Sequence, residues 1–535
     1  MSAADGREPG GPTVTLTISQ DKYLPAGPGS GEVQAVLTVT TGGLRAAPEA
    51  AAEVLVVDCS GSMGWPRSKI EAAREATTAA IGLLRDGTRF AVVEGTDRAR
   101  TVYPPTGYPT TAHPPTAHPT TDALAVAGPD TRAEAITRVR RLNPGGGTAI
   151  GSWLTLAREL LDQRPAALRH VLLLTDGKNE TESPGRLAQV LDACEGHFTC
   201  DARGIGDGWD AQELHRIATR LHGTADVVLR DADLTADFTA AMRIATARAL
   251  PELRIRLTRL PGTTVRYLKQ VFPAELDLTA DGRPVDDRST EFTTRAWGNE
   301  IRQYQVCLAA DPTHRPRGED LQIAVAELAA ADPLPLPAPV PVLVHWTDGH
   351  QPSTGLNPVV SHFGDYGELG RAAAAAYQAH QTRDLPAAEA ALDRVLRLAH
   401  LLDDRAMLEL LAHLLRSTDP AAGPARLRQR YDERHFGRLL LLSSRSTRMS
   451  DDGLPQAAPS EPPGPNHKCP DHNCPDRNCP DRNCPDRICP RCAAPAPPGA
   501  RFCPDCGRPM DGDPRGGDPR GGDTGDGDTG DGNPR

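Results

Sequence analysis

Residues 56–63 of this 535-residue chain read Val56-Val57-Asp58-Cys59-Ser60-Gly61-Ser62-Met63 and are the most informative about its fold. They continue an apolar run, Glu53-Val-Leu-Val-Val57, which is typical of a strand buried on both faces. A segment with helical spacing of apolar residues follows, at Ile70, Ala73, Ala80, Ile81 and Leu84. A buried strand that passes through a polar loop into a helix is the repeating unit of a parallel sheet.

The same order of strand and helix recurs up to about residue 250. Residues 89–93 and 170–174 are further apolar runs, while 131–141 and 149–162 have helical spacing. Because strands and helices alternate throughout, the predicted fold class is α/β, with a doubly wound, mainly parallel, Rossmann-like sheet over residues 51–250.

The flanking segments have a different periodicity. Apolar and polar residues alternate over 13–19 and 33–39, and alternation returns over 251–346 without intervening helices. Two strands alone are marginally stable. We therefore expect the strands of 13–50 to join those of 251–347 in one β-sandwich, with the α/β domain inserted between them.

The remaining chain divides by composition. Glycine and proline number 50 each and aromatic residues are only 4%, so part of the chain cannot bury a core. The predicted segments are a disordered N-terminus (1–12), a helical hairpin (365–417), a helix and strand segment (418–450), a disordered linker (451–488), a zinc ribbon (489–510) and a disordered Asp/Gly tail (511–535).

Charge and hydropathy argue against several kinds of partner. The formal net charge of −11 disfavours nucleic acid, which is bound by basic surfaces. Since no run of about 20 apolar residues is present, we expect no membrane-spanning segment. The first residues lack the basic and apolar blocks of a secretory signal, so we expect a cytoplasmic protein.

Polar side chains stand where predicted strands end or helices begin. Asp58, Ser60 and Ser62 follow the first buried strand, Thr148 precedes a helix, and Asp176 ends the run at 171–175. Carboxylate and hydroxyl oxygens suit Mg²⁺, Mn²⁺ or Ca²⁺ better than zinc. With only two charged groups among the five, such an ion would keep a position open for an acidic group from elsewhere.

This order of residues resembles the metal-ion-dependent adhesion site of von Willebrand factor type A (VWA) domains. The resemblance covers residues 51–250 and implies that Ser60 and Ser62 ligate the metal directly and Thr148 conditionally. It implies that Asp58 and Asp176 act largely through waters and that a partner's carboxylate completes the coordination. The wider arrangement is similar to intracellular bacterial VWA proteins, which assemble complexes, sometimes beside ATPases or kinase/phosphatase systems.

Simpler interpretations of these residues remain open. Ser and Asp favour helix caps and turns, so Asp58, Ser60 and Ser62 could cap a helix, and Thr148 could cap the helix that follows it. Cys59 is expected to be a packed thiol. Asp207 and Asp210 are expected to cap a later helix.

The residues do not favour an enzyme. Asp58 after an apolar strand is similar to the nucleophile of aspartate phosphotransferases, but those enzymes need a second carboxylate where Ser60 stands. Neither G-x-x-x-x-G-K-[ST] nor G-x-S-x-G occurs in the sequence. A phosphate hydrolase that uses Asp58 is therefore only a minor alternative.

Eight of the 12 cysteines fall within residues 469–506. Two C-x₂-C pairs, separated by ten residues, predict a closed tetrahedral zinc site formed by Cys489, Cys492, Cys503 and Cys506. Free or redox-active thiols are the alternative. The upstream repeat, at Cys469, Cys474, Cys479 and Cys484, is either extra zinc capacity with His467 and His472 or a tandem expansion within a linker.

Together these features predict a non-enzymatic interaction protein, a scaffold or adaptor in a multiprotein assembly. It would bind an acidic residue of a partner through a divalent cation. The alternative is a zinc-ribbon adaptor in which the VWA fold is a passive scaffold.

Overall fold

The computed structural model describes residues 11–26, 31–105, 123–163, 166–313, 315, 317–331, 333–347 and 357–449, and the backbone of 455–456, 487–488 and 495–496. The chain separates into two compact units, Met1–Ala458 and Pro459–Arg535. In the second unit, the described residues are Arg487–Ile488 and Pro495–Ala496, which pair as antiparallel strands. The predictions for residues 1–10, for most of the linker and zinc ribbon, and for the tail lie outside the described residues.

The strands and helices of the first unit are named in chain order. The strands are β1 (Thr13–Asp21), β2 (Tyr23–Pro25), β3 (Gly31–Gly42), β4 (Ala51–Asp58), β5 (Arg89–Gly95), β6 (Ala99–Tyr103), β7 (Ala125–Val126), β8 (Leu168–Thr175), β9 (Thr199–Ile205), β10 (Ala225–Val228), β11 (Leu250–Arg259), β12 (Thr263–Phe272), β13 (Leu276–Asp277), β14 (Arg283–Pro284), β15 (Ser289–Trp297), β16 (Ile301–Ala310), β17 (Asp320–Ala329), β18 (Val340–Thr347), β19 (Arg448–Met449) and β20 (Pro455–Gln456). The helices are α1 (Arg67–Leu83), α2 (Pro129–Val139), α3 (Ile150–Asp162), α4 (Pro184–Cys194), α5 (Ala211–Arg220), α6 (Leu234–Ala247), α7 (Pro358–Gln381), α8 (Leu385–Leu401), α9 (Arg405–Leu414) and α10 (Arg434–Leu442).

The α/β part is a mixed sheet in the order β10-β9-β8-β4-β5-β6, with β7 also paired to β5. The first five of these strands are parallel, and β6 and β7 run antiparallel to β5. Val54 and Val56 of β4 face the helices α3, α4 and α5, whereas Leu55 and Val57 face α1, α2 and α6. Helices on both faces explain the continuous apolar run, and the α/β prediction is confirmed.

Two further sheets lie on either side of a shared hydrophobic cluster. Their strand orders are β1-β3-β16-β12-β13 and β14-β15-β11-β17-β18-β2. In the first sheet β3 pairs antiparallel with β16, with Leu37 opposite Tyr304. Trp297 and Trp346 of the second sheet are buried in the same cluster. Strands that precede and follow the α/β part in sequence are therefore hydrogen-bonded neighbours.

The helical region begins earlier than the spacing of apolar residues predicts. The side chain of Asn357 accepts hydrogen bonds from the backbone N–H groups of Val359 and Val360, so α7 starts at Pro358. The helices α8, α9 and α10 follow, and Phe436 of α10 is buried in the same cluster as Leu214 of α5. No helix in the described part of the chain combines the length and the apolar character needed to cross a membrane.

A buried ionic group joins three strands of the α/β sheet near their beginnings. His170 Nδ1 lies 2.6 Å from Glu53 Oε2, and His170 Nε2 lies 3.0 Å from Asp201 Oδ2. All three residues are almost inaccessible to solvent. Burial lowers the pKa of His170, but the Glu53 carboxylate and the hydrogen bond with Asp201 outweigh burial and raise this pKa above its ordinary value.

Candidate functional site

The predicted site residues lie at the carboxyl ends of neighbouring parallel strands. Strand β4 ends at Asp58, and β8, its hydrogen-bonded neighbour, ends at Thr175 immediately before Asp176. In an open parallel sheet this edge is where loops converge and ligands bind. The third loop precedes α3. Its backbone is hydrogen-bonded to the loop that follows β4, because the N–H of Gly61 donates to the carbonyl of Gly146 at 3.0 Å.

Asp58 anchors the site from within the protein. Its side chain is fully buried, and Oδ1 accepts a hydrogen bond from the backbone N–H of Ser60 at 2.7 Å. Its Oδ2 accepts hydrogen bonds from the Thr175 hydroxyl at 2.7 Å and from the Asp176 N–H at 3.2 Å. Burial raises the pKa of Asp58 to about 6, since the hydrogen bonds offset only part of the desolvation.

The serine hydroxyls converge on one oxygen of Asp176. The Ser60 and Ser62 Oγ atoms are 2.9 Å apart, and the Ser62 hydroxyl donates to Asp176 Oδ1 at 2.7 Å. Ser60 Oγ lies 3.5 Å from the same oxygen. Asp176 and Ser60 are buried, whereas Ser62 is exposed. The group therefore opens to solvent on the side of Ser62.

Thr148 reaches the same place from the third loop. A Cβ atom at Gly177 would lie 3.3 Å from the Thr148 Oγ1 atom and 3.9 Å from the Ser62 Oγ atom. Both hydroxyls therefore border the space beside Gly177 that a side chain at this position would occupy. The structure thus brings together all five residues of the motif.

The simple capping interpretation does not describe these residues. Helix α1 begins at Arg67 after Pro66, so none of Asp58, Ser60 and Ser62 stands at its N-cap. Ser60 does precede the short 3₁₀ helix Gly61–Gly64 at its N-cap position, but its side chain makes no capping hydrogen bond. Ala149 holds the N-cap position of α3, and Thr148 precedes it. The Asp58 side chain makes a turn with Ser60 but caps no helix.

Lys69 is a charged residue of the site that the motif does not include. The Lys69 ammonium donates a hydrogen bond to Asp176 Oδ2 at 2.8 Å, and Lys69 is only 6% exposed. Lys69 lies in the first turn of α1 on the stripe occupied further along by the buried Ala72, Ala73 and Ala76. That spacing was the available signal, because a lysine on the apolar stripe of a helix must point inward.

The arrangement of oxygen atoms fits a hard divalent cation. Mg²⁺ binds oxygen ligands octahedrally at about 2.0–2.1 Å, which separates neighbouring ligands by about 3 Å. The 2.9 Å between the Ser60 and Ser62 hydroxyls is close to that separation. Asp176 Oδ1, 2.7 Å from Ser62 Oγ, lies on the same side. The donor set has no nitrogen or sulfur atom, as expected for Mg²⁺, Mn²⁺ or Ca²⁺ and not for zinc.

Other predicted residues have plainer roles or lie outside the described part. Cys59 is completely buried, and burial raises the pKa of its thiol far above the ordinary value, as expected for a packed thiol. Asp210 caps α5 by accepting from the N–H groups of Gln212 and Glu213. Asp207 is 3.7 Å from the Lys69 ammonium instead. The following zinc-site candidates are outside the described residues: Cys489, Cys492, Cys503 and Cys506.

A second group of possible metal ligands lies away from this edge. Glu195, His222 and Asp281 place one ligand atom each within 4.8 Å of one another. Arg220 pairs with Glu195 at 2.8 Å, and His222 lies 3.5 Å from Asp281. Because Glu195 already has a cationic partner, we interpret this group as a polar contact between the α/β part and the antiparallel sheets.

The chain is similar to known proteins over most of its length. A family model described as a von Willebrand factor type A domain matches residues 53–227. The structure of von Willebrand factor type A from Catenulispora acidiphila is 34% identical, with a TM-score of 0.73, over 82% of this chain and 97% of that chain. The ArnB paralog VWA2 from Sulfolobus acidocaldarius aligns at 12% identity and a TM-score of 0.47 over 81% of this chain and 98% of that chain. No curated protein matches the sequence.

These similarities agree with the architecture of the α/β part. The family model begins in β4 and ends in β10, so it includes Asp58, at the end of β4, and Asp176, directly after β8. Domains of this type are general protein-interaction modules. The relative from Catenulispora extends the similarity well beyond the α/β part. The chain therefore belongs to the von Willebrand factor type A family.

Proposed function

We propose that this protein is a non-enzymatic interaction module that binds an acidic residue of a protein partner through a divalent cation. The observation that carries the proposal is the convergence of the Ser60, Ser62 and Asp176 oxygens at 2.7–3.5 Å from one another. The ion would be Mg²⁺, Mn²⁺ or Ca²⁺. Ser60 and Ser62 would ligate it directly, with Thr148 as a conditional ligand.

The carboxylates of the site have an orienting role in this proposal. Asp58 holds the backbone of the Ser60 loop and of Asp176, so the hydroxyl-bearing loops keep their spacing. When bound, the cation supplies a positive centre that attracts a carboxylate. The exposed side at Ser62 gives a partner's Asp or Glu room to approach.

The same geometry favours binding over catalysis. Asp58 is fully buried beneath the loops, and each of its oxygens accepts hydrogen bonds from the protein. A nucleophile must reach its substrate, and a general acid must stand beside it. The position where a general acid would stand is occupied by Ser60, which has a hydroxyl group and no carboxylate. That hydroxyl lies 2.9 Å from the Ser62 hydroxyl. We therefore do not favour a phosphate hydrolase that uses Asp58.

The proposed wider role is supported by the family membership and by the sequence patterns. We propose a cytoplasmic scaffold or adaptor whose partner is an assembly protein, with an ATPase or a kinase/phosphatase system among the candidates. We also retain the proposal that Cys489, Cys492, Cys503 and Cys506 hold Zn²⁺ in a small ribbon. Partner capture by residues 451–535 alone would favour an adaptor in which the VWA domain is passive.

The test compares the full chain with a Ser60→Ala, Ser62→Ala double variant. Mn²⁺ should raise the melting temperature of the unmodified protein but not that of the double variant. Ser68→Ala is the matched control, because Ser68 is an exposed serine at the start of α1. An equal Mn²⁺ response in all three proteins would contradict the proposal. Affinity capture with and without chelator then identifies partners that need the ion.

A further inference from the structure

We propose that Lys69 is a built-in cation of the adhesion site, which weakens binding of the divalent ion alone and makes a carboxylate from the partner necessary for tight binding. This inference rests on the proposed function and concerns how the same site is regulated. The observation behind it is the buried ion pair between Lys69 and Asp176, 2.8 Å apart.

The protein is shaped to hold Lys69 in this position. The residue lies in the first turn of α1, and only 8% of its side chain is exposed. Its stem passes Gly206, whose φ of +74° belongs to the left-handed region that favours glycine. A Cβ atom at residue 206 would lie 2.6 Å from Lys69 Cε. A side chain at Gly206 would therefore displace the lysine.

The two oxygens of Asp176 serve different partners. Oδ2 accepts a hydrogen bond from the Lys69 ammonium. Oδ1 accepts a hydrogen bond from the Ser62 hydroxyl and lies on the side of the two serine hydroxyls. Lys69 therefore occupies the inner side of the carboxylate and leaves the outer oxygen toward the ion site. The ammonium and a divalent ion can be held together, with Asp176 between them.

The charge of the site follows from this arrangement. Asp58 and Asp176, when ionised, contribute two negative charges, and Lys69 cancels one of them. A divalent ion would leave the group with one positive charge, whereas without Lys69 it would leave the group neutral. Asp207, the other carboxylate near Lys69, is 3.7 Å away with a side chain 81% exposed, so solvent screens it.

A residual positive charge couples the ion to the partner. Repulsion from Lys69 lowers the affinity for the ion alone, and the partner's carboxylate relieves that repulsion when it binds. By thermodynamic linkage, the ion and the carboxylate then strengthen each other's binding by the same factor. Lys69 would therefore keep the affinity for the divalent ion low until an acidic partner binds.

The test measures the affinity for Mn²⁺ alone, by isothermal titration of the full chain. Lys69→Gln removes the charge but keeps a hydrogen-bond donor, and it should bind Mn²⁺ about tenfold more tightly than the unmodified protein. Lys69→Arg keeps the charge and should bind Mn²⁺ less tightly than Lys69→Gln. Lys178→Gln, which removes an exposed lysine after Gly177, is the matched control and should change the affinity less than about twofold.

A second measurement is made without any bound metal ion. Without Mn²⁺, Lys69→Gln should melt at a lower temperature than the unmodified protein, because Asp176 loses its buried cation. If this variant is unfolded without metal, Mn²⁺ should refold it, as followed by circular dichroism. The inference is overturned if Lys69→Gln binds Mn²⁺ no more tightly than the unmodified protein, or if Lys178→Gln tightens binding equally.

The serine double variant separates this inference from the proposed function. Loss of Mn²⁺ binding in Ser60→Ala, Ser62→Ala, with no change in Lys69→Gln, would contradict the role of Lys69 alone. Equal Mn²⁺ binding by the double variant and the unmodified protein would contradict both.

Discussion

The carboxylate of Asp58 accepts a hydrogen bond from the backbone N–H of Asp176 at 3.2 Å, although 118 positions separate the two residues in sequence. The same carboxylate holds the N–H of Ser60 through its other oxygen. One buried side chain therefore fixes the relative position of two loops. The spacing of the hydroxyl and carboxylate oxygens at the site depends on this link.

Asp58→Asn tests that link directly. The amide keeps the shape of the side chain but loses the charge and places an N–H₂ group where an acceptor is needed. We expect a loss of about 1–3 kcal/mol in the free energy of unfolding, measured with urea, because buried donors lose their acceptor. The Mn²⁺-induced rise in melting temperature should disappear. Retention of the full Mn²⁺ response would mean that Asp58 is not part of the site.

Gly177→Ala tests the space that the hydroxyls border. The added Cβ atom would lie 3.3 Å from Thr148 Oγ1, tighter than most such contacts. We expect weaker Mn²⁺ binding by titration, with little change in the fold by circular dichroism. Gly185→Ala in α4 is the matched control, since its Cβ atom would meet nothing within 4 Å. Unchanged Mn²⁺ affinity in Gly177→Ala would place the ion elsewhere.

Trp65→Ala tests the rim of the site. Trp65 is 83% exposed, and its backbone N–H donates to the carbonyl of Ser62 at 3.2 Å. Exposed tryptophans are rare, and tryptophan often dominates the binding energy of an interface. We expect at least tenfold weaker binding of the partner and an unchanged affinity for Mn²⁺. Leu401→Ala removes a side chain 68% exposed at the end of α8 and should change neither value. Equal partner binding by all three proteins would exclude Trp65 from the interface.

His170→Gln tests the buried ionic group at the other end of the strands. In the folded protein Glu53, Asp201 and Arg248 surround His170, and its pKa is raised. A raised pKa gives a stabilisation that is complete below the unfolded value of about 6.5 and is lost as pH rises through the folded value. We expect the variant to lose about 3–5 kcal/mol at pH 6 and to show a flatter decline in stability above that pH.

The control for this prediction is His197→Gln, which changes a histidine whose side chain is 41% exposed. Urea unfolding from pH 6 to pH 9 measures both variants and the unmodified protein. Parallel stability curves for His170→Gln and the unmodified protein would show that His170 does not carry the pH dependence.

The sequence predicts the α/β part well because its signals are local. The apolar run at 53–57 is continuous because helices cover both faces of β4. The short edge strands β6 and β7 were missed, since partial burial at the edge of a sheet gives no apolar run. Apolar spacing predicts a start near residue 365 for helix α7, whereas the helix begins at Pro358 because Asn357 caps it.

The candidate site was predictable only where a motif marks it. Asp58, Ser60 and Ser62 lie within five consecutive residues, Thr148 shortly precedes a helix, and Asp176 directly follows a strand. Lys69 belongs to no motif; its place on the apolar stripe of α1 signals burial, but not that its partner is Asp176, 107 positions away. Gly206 makes room for Lys69 from a third loop, and only the folded structure joins these positions.

A crystal of the full chain grown with Mn²⁺ would locate the ion through its anomalous scattering and so test whether Ser60 and Ser62 bind it. We expect one anomalous peak at roughly 2.0–2.6 Å from both the Ser60 and the Ser62 hydroxyl oxygens. A well-ordered site without a peak there, or a peak only at another group of residues, would contradict this expectation.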